Sequence, residues 1–158
     1  MNEQVELSYK WTTINGQPVY APSEIVDHLS ERRKRPSLVI QQGRPVAIGI
    51  SLSRPTGSEL QAQGYFLLAE IGKPSQMPPE NFPQTAEEIA AVVLRVTALV
   101  GRRDVYVALS CPTVVAFMIA SLIGSTRHFR ILHYENGKYT ALPDYKPSRF
   151  KESLKKPS

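Results

Sequence analysis

The chain has 158 residues, 42% hydrophobic and 21% charged, which suits one domain with a real core and excludes a disordered chain. Lys and Arg number 19 against 14 Asp and Glu, a formal +5 that favours anionic partners without specifying one. A single cysteine excludes an internal disulfide, cannot by itself hold zinc, and makes a reducing, cytoplasmic setting the simplest expectation.

The opening MNEQVELSYK lacks the basic-then-apolar pattern of a signal peptide. Val5 to Trp11 alternates apolar and polar residues and predicts a half-buried strand. Asn15-Gly16 then closes a hairpin onto Pro18-Val19-Tyr20, since both positions tolerate positive φ. Ser23 reads as the N-cap of a helix reaching Arg35, with Ile25, Val26 and Leu29 as its apolar stripe. Strands follow over 37–41 and 46–50, the second apolar enough for burial on both faces. The loop Ser51 to Ser58, rich in hydroxyls, leads into a short helix and a strand over 65–71. Pro74, Pro78, Pro79 and Pro83 make the next segment a connection.

Thr85-Ala86-Glu87-Glu88 reads as a capping box for a helix carrying Ile89, Val92, Val93, Val96 and Leu99 on one face, ended by Gly101. From Val105 to Thr126 no side chain is charged, a stretch near the length of a membrane span. Its chemistry argues otherwise. Val105 to Leu109 is β-branched and aromatic, and Pro112 would break a continuous helix but suits a first turn. The expectation is a strand over 105–109, a loop at Ser110-Cys111 and a buried helix over 112–123. A strand over 128–134, an Asn136-Gly137 turn and a strand over 138–142 close the order. The alternation predicts an α/β, Rossmann-like fold, with a mainly parallel sheet, helices on both faces and an antiparallel C-terminal hairpin. The expected divisions are 1–36, a hairpin and basic helix; 37–145, the α/β domain; and 146–158, a basic mobile tail.

In open α/β sheets, ligands bind outside the carboxyl ends of the strands, where helix N-termini suit phosphate. Two such mouths are expected: Ser51, Ser53, Arg54 and Thr56 after one strand, and Ser110, Cys111, Pro112 and Thr113 after another. Both also read as plain turns whose hydroxyls cap helices. Cys111 is either a thiol activated by a helix N-terminus or a small buried side chain; no arginine closes a phosphatase-type turn after it. His128 and His133 lie at odd spacing on one strand, poor geometry for a shared metal, and no metal or cofactor is expected. Glu87-Glu88 reads as helix-start charge. Arg32-Arg33-Lys34-Arg35 reads equally as a nucleic-acid contact or as a solvated helix end.

Three pieces, PVAIGIS at 45–51, TAEEIAAVVLRV at 85–96 and DVYVALSCPTVVAFMIASLIG at 104–124, resemble the SAVED domain, a relative of the CARF domain. HFRILHYENGKYTAL at 128–142 resembles that family's closing hairpin with paired tyrosines. The resemblance implies a sensor of cyclic oligonucleotide messengers of the CRISPR and CBASS antiviral systems. It carries the ligand role onto Ser51, Ser53, Arg54, Ser110, Cys111, Pro112 and Thr113, and onto Tyr134 and Tyr139, which also read as core residues. A full SAVED domain holds two CARF-like units and these 158 residues have room for one. The implied sensor therefore pairs with itself or with a separate effector. Two alternatives stand beside it: a metal-independent, ring nuclease-like phosphodiesterase with catalytic residues unspecified, and a structural subunit of a nucleoprotein complex. The last would use Arg32 to Arg35 and the tail.

Overall fold

The computed structural model describes residues 7–30, 36 and 43–155. The basic run 32–35 and the strand expected over 37–41 lie outside them. An N-terminal hairpin pairs β1 (Tyr9–Ile14) with β2 (Gln17–Pro22). Its turn residues Asn15 and Gly16 have φ of 52° and 84°, the positive values that favour an Asn-Gly pair. α1 (Ser23–Leu29) follows directly, with Pro22 in the capping position. Ser23 is not the N-cap expected from sequence. Its amide and hydroxyl both donate to the Ser8 carbonyl, at 2.8 and 3.0 Å, pinning the helix start to the strand entrance.

β3 (Val46–Ser51), α2 (Gly57–Ala62), β4 (Phe66–Ile71), α3 (Phe82–Thr97), β5 (Val105–Ser110) and α4 (Thr113–Ile123) alternate as the pattern predicts. β6 (Arg130–Glu135), β7 (Lys138–Ala141) and α5 (Pro147–Lys155) complete the chain. The expected tail thus carries a helix, none of whose residues is buried.

The seven strands form one mixed sheet in the order β1-β2-β4-β3-β5-β6-β7. Only the central β4, β3, β5 and β6 run parallel, and both flanks are antiparallel. The sheet is thus less parallel than expected. The N-terminal hairpin joins it through β2 against β4, Val19 facing Ile71, so the antiparallel C-terminal edge has a counterpart. Helices lie on both faces. Val46, Ile48 and Ile50 turn toward the cluster shared with α1, α3 and α4, while Ala47 turns toward Leu60 of α2. Period-two alternation divides one strand between two cores.

α3 corrects the capping box. The helix begins at Phe82 with Pro83 in its first turn, three residues before the expected cap, because a proline there sacrifices no amide. Thr85 therefore lies inside the helix, where its hydroxyl donates to Met77 Sδ, and Glu88 accepts from Gln17 at 3.1 Å. At α4, Pro112 occupies the cap and Thr113 the first helical position, one residue later than expected. Among the described residues no helix is long and apolar enough to cross a membrane.

Candidate ligand-binding site at the carboxyl edge

β3 and β5 are parallel neighbours in register from Val46↔Val105 to Ser51↔Ser110, so the loops after both leave the same edge. The Leu52 and Ser53 amides donate to the Ser110 carbonyl at 2.9 and 2.8 Å, tying the two expected mouths together.

The first mouth is already filled from within. Ser51 and Thr56 are fully buried. One Glu70 carboxylate oxygen accepts from the Ser51 hydroxyl at 2.7 Å and from the Thr56 and Gly57 amides at 3.1 and 3.2 Å. With its hydrogen given to Glu70, Ser51 Oγ accepts from the Thr56 hydroxyl, 2.7 Å away. The start of α2 has its anion, and it is a side chain of β4. That corrects the assignment of Ser51 and Thr56 as ligand contacts: they brace the loop beneath the site. Gly49 is required there, since a Cβ on it would stand 1.9 Å from Thr56 Oγ1.

At the second mouth Ser110, Cys111 and Pro112 are half-buried and Thr113 is exposed. No side chain caps α4. Its first amides, which lack intrahelical acceptors in any helix, face the edge. Pro112 and Ser53 line a cleft of about 340 Å³ whose far wall is the β4–α3 connection, Pro74 to Met77. An adjoining hollow of about 420 Å³ continues toward Gln17 and Lys73. Lys73 was not singled out from sequence. Its Nζ lies 4.4 Å from the Trp11 ring centroid, a cation held on an aromatic at the cleft margin. A lysine immediately after an apolar strand and a glycine was the available signal.

Arg54, Tyr134 and Tyr139, more than 80 residues apart at the extremes, come together on the α2 face. The Arg54 guanidinium lies 3.5 Å over the Tyr134 ring and Nη2 donates to the Tyr139 hydroxyl at 3.5 Å. The two rings meet edge to face with centroids 5.0 Å apart. Arg54 Nε is shielded from solvent and has no hydrogen-bond partner. Tyr139 is buried, its backbone held at both ends by the Gln63 amide at 2.7 and 2.9 Å. Burial pushes its phenol up, against the lowering effect of Arg54. Arg54 follows Ser53, whose amide donates to the Ser110 carbonyl, so the guanidinium stands one residue along the chain from the second mouth, with the tyrosine pair on the α2 side of the sheet and α4 on the other. The carboxyl edge thus carries a guanidinium with an aromatic pair on its α2 side and the uncapped start of α4 on its other side.

No family model matches the chain, and no curated protein matches it.

Burial pushes the Cys111 thiol up from its ordinary value of 9.0 to about 11, so it is protonated near neutral pH. Desolvation raises the thiol here, in the direction expected of a structural rather than an activated cysteine. Alkylation by iodoacetamide should be slow near neutrality and rise about tenfold per pH unit toward pH 11. A rate that levels off below pH 9 would contradict this. The same shift fixes a sign. The unfolded thiol ionises first, so its contribution to stability is constant below pH 9 and declines as pH rises through about 11.

β6 begins at Arg130, so His128 lies before the strand expected to hold both histidines; it pairs with Asp144 at 2.7 Å, while His133 approaches Glu135 at 3.9 Å. Among the described residues no group of three or more His, Cys, Asp and Glu side chains converges on a metal-sized site.

Proposed function

We propose that this chain is a Rossmann-like binding module for a cyclic oligonucleotide messenger, of the kind sensed by SAVED and CARF domains in antiviral defence. It is a cytoplasmic protein that signals through self-association or a separate effector. The observation that supports it most is the convergence of Arg54, Tyr134 and Tyr139, with the preceding Ser53 tied by its amide to Ser110 of the second loop. A guanidinium suits a phosphodiester, an aromatic face suits a stacked base, and the α4 amides add donors for a second phosphate. With the start of α2 satisfied by Glu70, the phosphate seat of this reading narrows to Ser53, Arg54 and the loop at 110–113. Binding acts on signalling only through differential affinity for two association states.

The test is calorimetric titration with a panel of cyclic oligoadenylates, followed by chromatography of the mixture. Binding with no linear product is the expected result. Linear product assigns the site to the phosphodiesterase reading, in which the ligand's own 2′-hydroxyl loses its proton and attacks the adjacent phosphate, the bond to the 5′-oxygen breaks, and that oxygen leaves protonated from a 2′,3′-cyclic phosphate end. Absence of binding to every ring overturns both and leaves the nucleoprotein-subunit reading, in which 32–35 and the basic C-terminal segment meet nucleic acid.

A further inference from the structure

α5 keeps no residue buried, so no packed face supports its helical form. An isolated helix shorter than ~12–15 residues is marginal in water, and this one has 9. Its side chains are nevertheless sorted by face. Phe150 and Leu154, 65% and 69% exposed, stand at i and i+4 and form one apolar stripe. At about 3.6 residues per turn, Arg149 falls on one flank of that stripe and Lys151 and Lys155 fall on the other. Glu152, midway between Phe150 and Leu154 in sequence, falls on the opposite side of the helix. Lys146 adds a cation just before the first turn. Among the described residues, Arg149, Lys151 and Lys155 have no carboxylate within ion-pair distance. Asp144, the next acid back along the chain, pairs with His128 and Arg130 instead.

We propose that α5 lies flat on an anionic phospholipid surface, with Phe150 and Leu154 inserted at the acyl boundary and the flanking cations on the headgroup phosphates. The inference is independent of which ligand the carboxyl edge takes. An interfacial helix needs an apolar stripe with cations beside it, and it needs no span. Long cationic side chains reach back from such a stripe to the headgroups. Two other partners would attract the same cations but fit less of the pattern. Nucleic acid stacks bases on an aromatic ring such as Phe150, yet offers no apolar phase to Leu154. A groove on an acidic protein reads anchors at i, i+3, i+4 and i+7. Here Ser153 holds the i+3 position from Phe150, and its hydroxyl turns back to donate to the Arg149 carbonyl at 3.1 Å.

Two apolar anchors and a few cations set the strength. The attachment is weak and reversible, governed by the anionic lipid content and by salt.

Co-sedimentation of the full chain with sucrose-loaded vesicles, without nucleotide, tests this. Vesicles of phosphatidylserine and phosphatidylcholine should carry the protein down, vesicles of phosphatidylcholine alone should not, and rising salt should release it. The double variant Phe150→Ser, Leu154→Ser should partition at least ~10-fold more weakly, since neither anchor is then buried. Lys151→Ala should weaken partitioning ~5-fold, the share of one cation near an anionic surface. Melting temperatures should not move, because all three side chains are exposed. If the double variant does not fold, Phe150→Ser alone gives the readout. No sedimentation with the phosphatidylserine vesicles overturns the proposal, as does equal binding to phosphatidylcholine alone. Binding that survives loss of both anchors overturns it too and assigns the attraction to charge alone. A chain that ignores both vesicles but binds single-stranded RNA through Lys151 gives α5 to nucleic acid instead. Vesicle binding is read with no nucleotide present, so failure here is distinguishable from failure of the cyclic oligonucleotide reading.

Discussion

Glu70→Ala is expected to lower folding stability by ~1–3 kcal/mol, the cost of a buried polar group left without a partner. Three donors meet that carboxylate, the Ser51 hydroxyl and the Thr56 and Gly57 amides. Without it the Thr56 amide keeps Ser51 Oγ at 3.1 Å and the Ser51 hydroxyl can turn to Thr56, which leaves the Gly57 amide without its acceptor. Ser51 and Thr56 are fully buried and Glu70 is 7% exposed, so little water stands ready to replace it. Truncation also opens a void under α2. Glu70→Gln keeps an acceptor but loses the charge that suits a helix start, and should fall between the two. Urea melts monitored by circular dichroism give the comparison. A loss below ~1 kcal/mol for Glu70→Ala, the range of ordinary surface substitutions, would show that the cluster is solvated or dispensable. The expected loss is a large share of the ~5–15 kcal/mol by which domains are stable.

That cluster marks where sequence reasoning stops. The strand-helix alternation was legible because it rests on local periodicity: Val105 to Leu109 is β-branched, Pro112 forbids a helix running through it, and Asn136-Gly137 demands a turn. Glu70 reads only as an acid within an apolar strand, and its partners lie 13 to 19 residues earlier in the chain. Hydroxyls at Ser51 and Thr56 look the same in sequence whether they await a ligand or hold a carboxylate. The antiparallel junction of β2 with β4 is likewise non-local, since nothing near Val19 states that Ile71 will face it. The false capping box has a local cause instead: Pro83 starts α3 earlier, and a Thr-x-x-Glu spacing recurs within helices as readily as at their ends. Tyr134 and Tyr139 entered as ligand residues through the resemblance alone, Arg54 already through its loop, and their contact now has a geometry of its own. Cys111 is half-buried, and the desolvation that raises its thiol favours the small-side-chain reading.

On the proposed cyclic oligonucleotide reading, Arg54→Ala is expected to weaken binding of the ring selected by titration by ~10- to 100-fold, corresponding to the ~1.5–3 kcal/mol of a hydrogen bond to a charged group. Arg54→Lys should recover only part of that loss: an ammonium keeps the charge but neither lies flat on Tyr134 nor pairs a phosphate with two parallel N–H groups. The side chain is held before any ligand arrives, by the ring of Tyr134 and the hydroxyl of Tyr139. Tyr134→Leu removes the cation–π contact and should therefore lower affinity even if the ring never touches the ligand. A double-mutant cycle separates the two roles. If Tyr134 acts only by positioning Arg54, Tyr134→Leu costs nothing in the Arg54→Ala background; if it also stacks on a base, a loss persists there. Thermal melts of each variant guard against a trivial cause, because Tyr139 is buried beside the pair. Unchanged affinity in a folded Arg54→Ala protein would remove the guanidinium from the site and leave the α4 amides as its remaining anion donors.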